Sequence, residues 1–177
     1  PTMGEVVFAM GNDCTGFTET YSKGKLNSGN FSLNNLSRTQ QDDLSNSGWN
    51  LVGNPYPSYL SWDNVSKNGL FDAVYTENAG EWATYVNGVG IPAGFTGNIA
   101  PGQGFMVQVA TGNSSGSAYL TNKDRVHQTG SSNNSGMNDN IIRLKAVGNN
   151  YEDETVIRFA DDATSGFDGN YDAHKLI

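Results

Sequence analysis

Four aromatic residues, Tyr59, Trp62, Trp82 and Tyr85, are the side chains of this sequence best suited to holding a ligand. Flat aromatic faces flanked by Asn, Asp and Gln stack on pyranose rings, so a polysaccharide or cell-surface glycan is the partner they suggest. If residues 81–86 (EWATYV) form a strand, Trp82 and Tyr85 point to opposite faces, because their separation is odd. Only one of the two can then join a flat platform. Core packing is the competing role for all four, since large aromatics are mostly buried and carry much of a core's energy.

Calcium is the one cofactor for which a pattern exists. Asp168, Asn170 and Asp172 have the D-x-N-x-D spacing in which alternate oxygens converge on the ion. The pattern then breaks, because Ala173 stands where the sharp turn wants Gly and no Glu follows at the twelfth position. The alternative is a polar strand or turn with Phe167 and Tyr171 packed inward.

Catalytic signatures are missing. His127 and His174 have no G-x-S-x-G, H-E-x-x-H or paired-carboxylate context, and each reads as a lone surface histidine. Cys14 is the only cysteine, which excludes an intrachain disulfide and a cysteine-based zinc site. In the segment GNDCTGF it reads as a small, partly buried residue rather than a nucleophile. Gly102-Gln103-Gly104 precedes a strand and not a helix, so it lacks the helix N-terminus that cradles phosphate. The sequence is therefore read as non-enzymatic, with a glycoside hydrolase as the residual alternative, since two carboxylates at the right distance would suffice.

The elements that must position these residues are strands. The chain has 22 glycines, 36% hydrophobic and only 16% charged residues, a turn-rich composition rather than a helical one. Its net charge of −8, without a Lys/Arg cluster, argues against nucleic acid and suits a soluble extracellular protein. No apolar run approaches the ~20 residues of a spanning helix. With 177 residues, one domain over 1–177 is expected.

Residues 48–63, GWNLVGNPYPSYLSWD, organise the rest. Trp49 and Leu51 are expected to enter the core, and Gly53-Asn54 ends their strand. Pro55 and Pro57 then fix φ and push Asn54 and Tyr56 out of the helical region, making a stiff corner. Tyr56, Tyr59 and Trp62 either plug the end of the core or form an exposed platform, and plugging is the expected use.

Along the chain, residues 5–10 (EVVFAM) read as a strand covered on both faces, and residues 18–36 as a β-hairpin. Residues 61–65 offer the best helical turn, capped by Ser61 or Asp63. Strands are expected over 70–75, 81–86, 105–109 and 117–120, with a turn at Pro101-Gly102. Residues 140–147 and 155–160 form a second hairpin with an acidic tip at Glu152, Asp153 and Glu154. One of its faces carries Ile142, Leu144 and Ala146, the other Arg143 and Lys145. The last residues, up to Ile177, read as strand-like. This spacing, without amphipathic helices, points to an antiparallel, jelly-roll-like β-sandwich.

Several phrases taken together carry a resemblance: residues 48–63 above, YVNGVG (85–90), IAPGQGFMV (99–107), RVH (125–127) and TVIRFADDATSGFDGNYDAHKL (155–176). They resemble the β-rich region preceding the C-terminal sorting domain in surface and secreted proteins that Bacteroidetes-type bacteria export by the type IX secretion system. The resemblance implies export, an extracellular or cell-surface location, and a chain continuing beyond Ile177 into neighbouring domains of the same precursor. It implies no activity. The expectation is a non-catalytic extracellular adhesion or carbohydrate-binding module, with a structural spacer as the alternative and a hydrolase fragment third. Exposure of Trp62, Trp82 and Tyr85 separates binding from spacing.

Overall fold

The computed structural model describes residues 25–39, 46–78, 80–127, 140–149 and 151–176. Residues 5–10, Cys14 and the first half of the expected 18–36 hairpin lie outside the described residues. In chain order the strands are β1 (Phe31–Ser37), β2 (Trp49–Gly53), β3 (Tyr59–Ser61), β4 (Ser66–Asn68), β5 (Val74–Asn78), β6 (Glu81–Val86) and β7 (Val89–Ile91). They continue with β8 (Asn98–Ile99), β9 (Gly104–Gln108), β10 (Ser115–Leu120), β11 (Arg125–Val126), β12 (Ile141–Gly148) and β13 (Tyr151–Arg158). All named pairings are antiparallel.

One layer is a five-stranded sheet in the order β2-β9-β5-β6-β7. Across the core from it lie two three-stranded sheets, β1-β10-β4 and β11-β3-β8. Alternation along each strand sends one set of side chains inward. Val52, Phe105, Val107, Val74 and Tyr85 of the first layer meet Leu36, Ala118, Leu120, Leu60 and Ile99 of the second in a single buried cluster. The fold is thus an all-β antiparallel sandwich.

The double-proline corner is held by Asn54, whose side chain is buried. Its amide nitrogen donates to the carbonyls of Ser58, Ile99 and Ala100 at 2.9, 3.1 and 2.9 Å, and its oxygen accepts from the Tyr56 amide at 3.0 Å. A prolyl-rich turn cannot satisfy its own backbone in a ladder, so a side chain does so. Gly48 opens the stretch at φ +83°, where an added Cβ would lie 2.8 Å from the Val109 carbonyl oxygen. Tyr56 and Trp62 are fully buried and plug the core.

Several expectations change in detail. Trp49 and Leu51 do not enter the central core: they share the sheet's outer face, with Leu51 73% exposed, and Val52 points inward instead. β1 pairs with β10. The helical turn is a 3-10 turn, Trp62–Asn64, and Ser61 supplies no side-chain cap. The expected 70–75 strand starts at Val74, with Leu70 making only an isolated bridge to Val109. Pro101-Gly102 turns as expected, with Gly102 at φ +67° and the Gln103 amide donating to Ala100 at 3.1 Å.

The β12–β13 ribbon is inside out relative to a sandwich strand. Glu152, Asp153 and Glu154 lie within β13, not in a tip, and pair with Val147, Ala146 and Lys145. The charged face turns toward the body, where Arg143 donates to the Gly90 carbonyl at 3.0 Å and pairs with Glu154, and Arg158 donates to the Asn87 carbonyl at 2.7 Å. Ile142, Leu144, Ile157 and Tyr151 are left exposed on the other face.

Candidate functional site

The four candidate aromatics are distributed over different parts of the fold. Trp62 is buried against Phe105, with ring centroids 5.6 Å apart, and its indole nitrogen donates to the Asp72 carbonyl at 2.8 Å. Lys67 lies 5.0 Å from that ring's centroid, bonds the Trp62 carbonyl at 3.1 Å and pairs with Asp72 at 3.3 Å. This indole is satisfied on every side by the protein. Tyr85 is also buried, its hydroxyl donating to the Asp63 carboxylate and its ring edge-on to Phe95. Burial, and then the Asp63 carboxylate, push the Tyr85 pKa far up, so the hydroxyl stays protonated as a donor.

Trp82 leaves the sheet through its opposite face and packs against the cluster of Ala73, Tyr75 and Val86, as Trp49 and Met106 also do. Tyr59, half-buried on β3, stands opposite Val126 in a different sheet. No shared platform results.

The outer face that holds Trp82 is covered by the C-terminal segment. Ala173 and Leu176 pack on it, and the His174 amide donates to the Tyr75 hydroxyl at 2.9 Å. The His174 imidazole is stacked on Phe167 at 4.3 Å and 8°, with Trp49 at 6.1 Å. His174 is therefore part of an aromatic stack, whereas His127 is exposed. The stretch expected to end in a strand is instead an irregular strap over the sheet.

Asp168, Asn170 and Asp172 close a tight turn at the start of this strap. One Asp168 oxygen accepts the Asn170 amide at 3.0 Å, and one Asp172 oxygen accepts the Asp168 amide at 2.7 Å. The D-x-N-x-D spacing here organises backbone donors, a use that short acidic side chains serve in many turns. Phe167 is 49% exposed, and Tyr171 is half-buried with its hydroxyl donating to Asp162 at 2.6 Å and Arg158 over its ring. Among the described residues no group of three or more His, Cys, Asp or Glu side chains is placed to hold a metal ion.

Compared with known protein families, curated proteins and solved structures, the chain matches none.

Two surfaces lie outside the candidates that residue types suggest. One is the outward apolar face of β12–β13, beside an open depression lined by Asn140, Arg158, Phe159 and Asp161. The alternation of the ribbon is visible in the sequence, but its sense is not, because alternation does not say which face is buried. The other is the aromatic outer face beneath the strap. Its signal is the presence of large apolar side chains on both faces of these strands, such as Trp82 and Tyr85 on β6 or Val74 and Tyr75 on β5, which leaves a second face to be covered.

Proposed function

We propose that this chain is a non-catalytic, jelly-roll-like module of a larger secreted or cell-surface protein, acting as a structural spacer between neighbouring domains of the same polypeptide. One observation carries the reading: the aromatic side chains best suited to a ligand are used inside the fold. Trp62 is 1% and Tyr85 5% exposed, and Trp82 is half-buried against the outer-face cluster. Stacking on a sugar needs an open aromatic face, which these two buried rings do not offer. A packed sandwich with a net charge of −8 remains soluble while holding its neighbours apart. The extracellular setting rests on the resemblance of residues 48–63, 99–107 and 155–176.

Adhesion is the second reading, favoured by the exposed row of Ile142, Leu144, Ile157 and Tyr151 on one face of the ribbon. Contiguous exposed apolar side chains mark interaction surfaces more often than isolated ones do. Pull-downs with insoluble glucans and a soluble glycan panel separate these roles. The spacer reading expects nothing retained, and retention that disappears in Trp82→Ala would replace it with carbohydrate binding.

A further inference from the structure

We infer that the outer face of the five-stranded sheet is a docking face for an extended polypeptide segment, occupied here in cis by residues 167–176. The inference stands apart from the spacer reading, because it concerns what this face recognises and not what the module separates. A sheet must bury an apolar face against another element, ordinarily a helix layer or a second sheet. This face carries Trp49, Tyr75, Trp82, Val86 and Met106, and among the described residues its cover is a stretch of chain without regular secondary structure.

The cover is held at spaced anchors, in the manner of a bound peptide. Gly169 lies against Phe71 and accepts the Asp72 amide at 3.1 Å. Phe167 and His174 stack face to face, and His174 reaches Tyr75 through its amide. Ala173 and Leu176 supply apolar contacts, and Lys175 pairs with Asp153 of β13. Side-chain anchors at intervals, joined by a few main-chain bonds, are how grooves and faces capture extended segments.

The strap is joined to β13 through residues 159–166, of which 161–166 are exposed. A short exposed tether presents its segment at an effective concentration on the order of millimolar. A free segment of the same chemistry, aromatic and then His-x-Leu, therefore competes only when the cis contacts are weakened.

The test uses the full chain and a labelled peptide with the sequence of residues 167–176, FDGNYDAHKL. Gly169→Ala dislodges the strap, since the new Cβ would lie 1.8 Å from a Phe71 ring carbon, and Lys175→Ala loosens it at the surface. By fluorescence anisotropy Gly169→Ala should bind the peptide at least about tenfold more tightly than wild type, with Lys175→Ala between them. A peptide with Ala in place of its His and Leu should lose that binding. Native-state hydrogen exchange of the wild type should show residues 172–176 opening before β5 and β9. The inference is overturned if Gly169→Ala folds yet gains no affinity, or if the face takes oligosaccharide and not peptide. Should that variant fail to fold, unchanged affinity in Lys175→Ala, or exchange of the strap only with global unfolding, overturns it equally.

Discussion

Trp82 and Tyr85 stand three residues apart on β6 and leave the sheet through opposite faces, Tyr85 into the central core and Trp82 against the outer-face cluster on which the C-terminal strap also packs. Their odd separation makes a joint platform impossible, and the surrounding layers then bury Tyr85 and half-bury Trp82. Residues of the right types for a ligand site instead tie two layers of the protein to one strand.

Tyr85→Phe keeps the ring and removes the hydroxyl that bonds Asp63. Hydrogen bonds to charged groups contribute about 1.5–3 kcal/mol, and Asp63 can recover part of this from water, so a loss of about 1–2 kcal/mol is expected in urea unfolding. A change within experimental error would mean that the bond is not formed in solution.

Asn54→Ala strips the corner of its cross-link. Three carbonyls and the Tyr56 amide lose their partner in a buried place, which should cost about 3 kcal/mol. The expected outcome is a large fall in Tm with an unchanged urea m-value. Asn54→Asp should also destabilise, since it replaces a donor with a second acceptor facing those carbonyls.

Alkaline pH should weaken the sandwich through two buried tyrosines, Tyr85 in the central core and Tyr75 on the outer face. Burial pushes the Tyr75 pKa up to about 12, partly offset by the bond from the His174 amide, while an unfolded tyrosine ionises near 10. Between about pH 10 and 12 the unfolded state has released its proton and the folded state has not, so stability falls as pH rises through this window. Below pH 10 this contribution, about 2–3 kcal/mol, is fully present. Tyr75→Phe should flatten the decline, with tyrosinate absorbance of the wild type rising together with unfolding.

Substitutions on the β12–β13 ribbon should have effects opposite to those hydrophobicity suggests. Leu144→Ser and Ile142→Ser, on the solvent face, should change stability by less than about 0.5 kcal/mol. Arg143→Ala should cost about 1–2 kcal/mol, because it removes the bond to Gly90 that ties the ribbon to β7 and the pair with Glu154 across the ribbon. Thermal melts of the three variants decide the orientation.

Much of this fold is legible in local chemistry. The β6 and β9 strands, the Pro101-Gly102 turn and the plugging role of Tyr56 and Trp62 follow from alternation, fixed φ and aromatic size. The features that are not legible depend on distant partners. β1 pairs with β10, far along the chain, and the buried Asp124 accepts the Thr121 amide at 2.6 Å in a capping box that the T-x-x-D pattern announces only once the turn is known. The inverted ribbon and the strap over Tyr75 likewise follow from contacts between segments, which a single strand's pattern does not encode.

Acrylamide quenching of variants that each retain one tryptophan tests most directly whether the candidate aromatics serve the fold rather than a ligand. Trp62 should be nearly unquenched, with Trp49 and Trp82 only partly accessible. Quenching of Trp62 or Trp82 as free as that of a solvated indole would contradict this account and restore an open aromatic site.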